Sequence, residues 1–303
     1  MASGLETETE LRTISWRDGG WLLSGPIEGR LGMLVTELSP AGSRARLPIP
    51  AEDPDGERAG LALAINVLAD TAGGVALSAY VGGAGGGPTI ELRLDHVARP
   101  AEEASWLFGE AEVLHEVGGS GYLSIAVTDD TGRSVARAGG HYLLRRPRAK
   151  ESDPAGPAPG SERGAGPDTE LGCPSDEVGV PDVLLSALAP TGDDPEVWRL
   201  PAVGELANPR GDVHGGALLT VGELAQRRFL AASTGGPMTP LTVQAQYLLP
   251  APARGGEVTC RTSYVRRGRS FSTVRTELVR PDGRIATLVT GLWSALDRPN
   301  HDH

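Results

Sequence analysis

Two stretches of the chain are apolar on nearly every face at helical length. LALAINVLADTAGGVALSAY (61–80) and GGALLTVGELAQRRFLAAS (215–233) are rich in Ala, Gly and Leu. Small residues on most faces over about five turns predict helices enclosed on several sides. Four runs of β-type patterning follow each helix. After the first come TIELRLDHV, WLFGEAEVLHEV, GYLSIAVTDD and SVARAGGHYLLRR; after the second come LTVQAQYLL, EVTCRTSYVRR, SFSTVRTELVR and RIATLVTGLWSA. Alternation across Ser272–Val279 predicts a half-buried strand, and Asp130-Thr131-Gly132 and Pro281-Asp282-Gly283 predict hairpin turns. A further strand over about 32–48 precedes the first helix, and its counterpart before the second is less clear. One strand, one long helix and four antiparallel strands describe an α+β unit in which a sheet wraps round a helix.

The same order of elements occurs twice, and the residues agree with a repeat. Arg46-Leu47-Pro48 returns as Arg199-Leu200-Pro201 at an offset of 153, where Glu52 also meets Glu205, Asp70 meets Glu223 and Thr89 meets Thr242. Further on the offset slips to 151, which places Gly132-Arg133 on Gly283-Arg284. A single short match is noise, whereas an ordered series marks two diverged copies of one unit. The expected organisation is an N-terminal tail (1–20), a first domain (21–146), a linker (147–177), a second domain (178–297) and a short tail (298–303). The linker is rich in Pro, Gly, Ser and charge, with almost nothing apolar to offset its ordering entropy.

Composition narrows the function classes. Of 303 residues 39% are hydrophobic, enough for a sizeable core, and the net charge of −11 argues against nucleic acid as a general partner. No run approaches 18 consecutive apolar residues, so no membrane span is expected. The acidic start MASGLETETELRT is unlike a signal peptide, and the expected setting is cytoplasmic. Cys173 and Cys260 make no disulfide framework, no His pair has metal-ligand spacing, and no cofactor is expected.

The residues with chemistry gather at the start of the second helix. The segment Asn208-Pro209-Arg210-Gly211-Asp212-Val213-His214-Gly215-Gly216 opens it, and Glu223 follows nine residues after His214. A helix start carries unpaired N–H groups and the positive end of the helix dipole. Glycine there lets a carbonyl oxygen approach the backbone, which makes an oxyanion site. A carboxylate can act as general base on water or attack directly, and the sequence does not choose between them.

This set resembles the hotdog-fold acyl-CoA thioesterases of the PaaI-like, 4-hydroxybenzoyl-CoA-thioesterase type, in a tandem double hotdog form covering nearly all of both copies. The resemblance implies hydrolysis of a thioester to a carboxylic acid and a free thiol, with coenzyme A as part of the substrate. An acyl-carrier-protein thioester, a hotdog dehydratase or hydratase, and a non-catalytic acyl-CoA-binding or assembly protein are the alternatives. Copy one departs from the pattern: Asp55 stands in place of Asn208 and Leu61-Ala62-Leu63 in place of His214-Gly215-Gly216, while Asp70 keeps the acid. In dimeric members the Asn and His-Gly-Gly come from one subunit and the acid from the other. The resemblance therefore implies one complete cleft, pairing Asn208, His214 and Gly215 with Asp70, and one crippled cleft around Glu223. It also implies that Gly216 and the threonines Thr89 and Thr242, each 19 residues after its acid, contact substrate or water. Coenzyme A is anionic, and Arg266, Arg267, Arg269 and Ser270 in one turn of copy two are the expected phosphate contacts. Further pairing of chains into a homo-oligomer is open.

Overall fold

The computed structural model describes residues 13–17, 20–23, 25–50, 59–82, 86–145, 194–200, 204–234, 238–254 and 256–295. The expected linker, the C-terminal tail, Asp55 and Cys173 lie outside these residues. The copy-one elements are β1 (Thr13–Arg17), β2 (Gly20–Leu23), α1 (Pro26–Arg30), β3 (Leu34–Ser39), β4 (Gly42–Pro48), α2 (Ala59–Tyr80), β5 (Gly86–His96), β6 (Trp106–Val117), β7 (Ser120–Asp129) and β8 (Ser134–Leu144). Copy two contributes β9 (Val197–Leu200), α3 (Gly215–Thr234), β10 (Thr239–Tyr247), β11 (Val258–Arg266), β12 (Phe271–Val279) and β13 (Ile285–Ser294).

All described strands join one antiparallel sheet in the order β1-β2-β3-β4-β6-β7-β8-β5-β10-β13-β12-β11-β9. Either side of the β5–β10 seam the order mirrors itself, as two copies related by a pseudo-twofold require. The seam runs Thr242 opposite Asp95 through Gln246 opposite Glu91, with Val243 paired to Leu94 and Ala245 to Leu92. Those four apolar side chains are fully buried, so a one-residue slip would turn both strands' core faces to solvent. Helices α2 and α3 pack together inside the curve of the sheet; one apolar core runs through both copies, and a smaller cluster around Phe229, Val274 and Trp293 lies in copy two. This is the double hotdog.

Two expectations are corrected at the N-terminal side. The tail expected over 1–20 contains β1, and the single strand expected over 32–48 is the hairpin β3–β4. Pro40 has no N–H for a ladder and stands at the break between them. Helix α2 is long and apolar enough to cross a membrane by length and composition alone, a test that a buried core helix also passes. It is buried over 89% of its most apolar stretch, inside the sheet. The two predicted hairpin turns form, with Gly132 at φ +87° and Gly283 at φ +81°. Both occupy the left-handed region that favours glycine.

Candidate active site

The start of α3 meets the middle of α2. Gly216 has no side chain, and a Cβ there would stand 2.6 Å from Asn66 O and Val67 Cα, so the two helix backbones touch at this point. That approach delivers Asp70 from copy one to the first turn of α3 in copy two. The Gly216 N–H donates to Asp70 Oδ2 at 2.9 Å, across 146 residues of sequence. Thr89 Oγ1 donates to the other oxygen, Oδ1, at 2.7 Å. A Cβ on Gly215 would fall 2.5 Å from Asp70 Oδ2. The His-Gly-Gly glycines thus make room for the helix crossing and for the carboxylate, in addition to leaving the helix start open. A helix N-terminus stabilises a carboxylate placed there.

His214 lies against the same carboxylate. Its Nδ1 is 3.4 Å from Asp70 Oδ2, and its Nε2 is 3.2 Å from Thr71 Oγ1 and 3.4 Å from Glu28 Oε1. Burial alone pushes the imidazole pKa down, but Glu28 and then Asp70 more than reverse this, and the His214 pKa is raised. Two phenols close the site: Tyr247 Oη donates to Gly215 O at 2.9 Å and Tyr142 Oη to Asp70 O at 3.4 Å. Burial and the Asp70 charge raise both phenol pKa values well above normal, so both remain donors.

Asn208 stands apart from this cluster. Its Oδ1 accepts from Arg210 N at 2.8 Å and Asp212 N at 3.3 Å, which folds the turn that leads into His214. His214 N then donates to Leu206 O and Val213 N to Ala251 O, fixing the strand-like approach to α3. Arg210 in this turn is held below the usual arginine range by burial and then by the neighbouring charge of Arg145, with Asp212 opposing. Arg280 adds its charge on Asp212. An excess of positive charge therefore sits beside the turn.

Glu223 has different surroundings. It is 1% exposed, accepts from Arg227 at 3.2 Å and from Asn66 Nδ2 at 3.4 Å, and lies 3.7 Å from His96 Nε2. Burial raises its pKa, yet the His96 charge, Arg227 and the Asn66 amide overcome that and bring it to about 2. So weak a base is poorly matched to abstracting a proton at neutral pH. Thr242 does not join it, because Thr242 Oγ1 donates to Asp95 Oδ1 at 2.6 Å across the seam. The folded pKa lies below the ordinary value of 4.5, so the stabilisation is present above that value and lost as pH falls through it toward about 2. Denaturant unfolding of the wild type is expected to lose about 2 kcal/mol to this group by about pH 3, a loss missing from Glu223→Gln. Parallel pH dependence in the two proteins would show that Glu223 carries no such load.

The arginine turn is also remote. Arg266, Arg267 and Arg269 are exposed, and Arg267 donates to Ser233 O at 3.1 Å while lying 5.5 Å over the Tyr264 ring. Ser233 is in the last turn of α3, about 26 Å along the helix from Gly216 at 1.5 Å per residue. Arg267 there serves the C-terminal carbonyls of α3, a favourable place for a cation. The turn that carries the expected phosphate contacts Arg266, Arg267, Arg269 and Ser270 thus sits by the C-terminal end of α3.

Glu28, Thr71, Tyr142 and Tyr247 are neighbours of the site that sequence reasoning passes over. Glu28 is one of 39 acids and carries no spacing signal; the tyrosines read as ordinary strand residues. Cys260 is fully buried and burial pushes its thiol up to about 12, which makes it inert as a nucleophile. Among the described residues no group of three or more His, Cys, Asp or Glu is placed to hold a metal ion.

Residues 206–295 match the family model of the acyl-CoA thioesterase N-terminal domain, and residues 64–136 match that of the thioesterase superfamily. Among solved structures, the tesB protein of Mycobacterium avium subsp. paratuberculosis superposes with a TM-score of 0.55 at 12% identity, over 86% of this chain and 94% of that one. A candidate thioesterase from Novosphingobium aromaticivorans gives 0.54 at 16% identity, over 87% and 98%. A candidate oleoyl thioesterase from Lactobacillus plantarum gives 0.52 at 12%, over 84% and 96%. At such identities the structural likeness speaks for the fold. No curated protein sequence matches the chain. The two copies are tandem thioesterase-superfamily hotdog domains.

Proposed function

We propose that the chain is an acyl-CoA thioesterase with one working site, in which Asp70 is the catalytic carboxylate. The observation that carries this reading is the convergence of the Asp70 carboxylate, the Thr89 hydroxyl and the Gly216 N–H at the start of α3. In the reaction a water attacks the thioester carbonyl carbon as Asp70 takes its proton. Charge developing on the carbonyl oxygen faces the start of α3, the C–S bond breaks, and the departing thiolate takes up a proton as Asp70 returns to the carboxylate. No cofactor enters these steps. The Asn208…His214-Gly215-Gly216 pattern supports the finer assignment to the PaaI-like, 4-hydroxybenzoyl-CoA group. Arg210 and Arg145, the cations beside the His214 turn, are the groups we assign to the phosphates of coenzyme A.

The test is thiol release from a panel of acyl-CoAs, short to long and aliphatic to aryl. Release from at least one ester is expected, with KM raised roughly 10-fold in Arg210→Ala as a charge-assisted contact is lost. Arg266→Ala and Arg269→Ala are expected to leave KM within about 2-fold, as exposed charges far from the chemistry. No release from any CoA ester by the folded protein, with release from an acyl-carrier-protein thioester, would move the substrate to the carrier protein. No release from either would remove the enzyme reading.

A further inference from the structure

Glu28 is a strongly buried carboxylate in contact with this site that the proposed reaction does not use. Its place is unusual for an acid. It is 5% exposed, its Oε2 has no hydrogen-bond partner among the described residues, and its Oε1 lies 3.4 Å from His214 Nε2. A Cβ on Gly25 would overlap the Glu28 carboxylate, so the side chain folds back over the N-cap of its own helix. Helix α1 is anchored to copy two: it packs on the 3-10 turn Gly204–Leu206, and Arg30 pairs with Glu205. Copy one thus presents two carboxylates to the histidine of copy two, one at each ring nitrogen.

Electrostatics decides what such an arrangement means. A buried carboxylate with one oxygen unsatisfied is costly unless a cation stands beside it. The groups facing His214 are Glu28 from α1, Asp70 and the neutral Thr71 from α2, with Tyr142 of β8 and Tyr247 of β10 behind them as neutral phenols. No other cation is among these neighbours. A neutral ring would leave two buried negative charges facing each other across it. A protonated ring donates from Nε2 toward Glu28 and from Nδ1 toward Asp70. The Gly216 N–H donates to both Nδ1 at 3.0 Å and Asp70 Oδ2 at 2.9 Å; protonation of Nδ1 ends the first of these bonds and leaves the N–H to the carboxylate.

We propose that Glu28 is a positioning residue that holds His214 as the imidazolium. The consequence for the proposed thioesterase reaction, on which the functional half of this inference rests, is a division of labour. His214 is not a base in the resting protein; it carries a fixed positive charge beside the reacting centre, and Asp70 is left as the proton acceptor. Activity then needs an ionised Asp70 and a protonated His214, so its decline at high pH follows the His214 titration.

The test has one arm that needs no substrate. An unperturbed histidine is about 90% neutral at pH 7.5, one pH unit above its pKa. In the wild-type chain the ring nitrogens of His214, assigned by their absence from His214→Gln, are expected to show imidazolium NMR shifts at that pH. Neutral-ring shifts there overturn the proposal, whatever any variant does. In Glu28→Gln the His214 titration is expected to move to lower pH, and in Glu28→Asp to stay near the wild-type position; an unmoved midpoint in Glu28→Gln also overturns it. The second arm is the pH profile of thiol release. Glu28→Gln should bring the high-pH decline to lower pH, so that activity falls about 10-fold more at pH 8 than at pH 6. A merely structural role would lower the whole profile without moving its limbs and would overturn the positioning role. If no thioester is hydrolysed, the proposed function fails while the NMR arm still decides the role of Glu28.

Discussion

Replacing Asp70 by Asn is expected to lower kcat for thioester hydrolysis about 10^3-fold with the fold intact. Asn is isosteric with Asp: its carbonyl oxygen can accept from the Gly216 N–H, and its amide can donate to the Thr89 hydroxyl, which reverses its role. What disappears is the negative charge and with it the base. Glu223→Gln is the matched control, removing the corresponding acid of the other copy. It should change kcat less than about 5-fold, because Glu223 is 1% exposed and committed to Arg227, Asn66 and His96. Steady-state rates of the two variants, with circular dichroism to check folding, separate the cases. Loss in Glu223→Gln with retention in Asp70→Asn would invert the assignment of the working cleft.

The largest effect on stability is expected at Gly216. In Gly216→Ala the new methyl would stand 2.6 Å from Asn66 O and from Val67 Cα, both backbone atoms of α2, so no rotamer change relieves the contact. The helices must separate in the middle of the shared core, which costs about 2–4 kcal/mol. Gly215→Ala makes an instructive comparison. Its methyl would meet the tip of the Asp70 side chain at 2.5 Å, a group that can swing aside. We therefore expect Gly216→Ala to lose mainly stability and Gly215→Ala to lose mainly kcat, as the carboxylate is displaced. Denaturant unfolding and thiol release on both variants check this; equal stability of the two would show that the helix contact at Gly216 is not tight.

Much of this arrangement is legible in the chain. The long helices and the eight strands that follow them stand out because local periodicity and turn residues encode them, and α3 begins at Gly215 as read. The hairpin β3–β4 and strand β1 are less visible, since short elements have too few residues to set a period. Spacing along one helix likewise exposes His214 and Glu223 as a pair. That spacing is misleading as a guide to contact, for Glu223 lies more than two turns from the helix start it was matched with. The pairing of His214 with Asp70 was an expectation of the family resemblance, not of any local pattern.

The sequence by itself determined the duplication, the element order, the glycines at the start of α3 and the survival of an acid in each copy. Those are properties of neighbours in the chain, and neighbours leave a period or a motif. Only the tertiary structure decided which acid meets which helix end. Asp70 reaches Gly216 because the β5–β10 register and the crossing of α2 on α3 bring together residues 146 apart. The same crossing encloses Glu223 in its own ion pairs and leaves Arg267 at the far end of α3. It also brings Glu28, from a helix of five residues, against His214. Charges that meet across a fold share no spacing in the chain, and their effect on one another's protonation exists only once burial has removed the water between them.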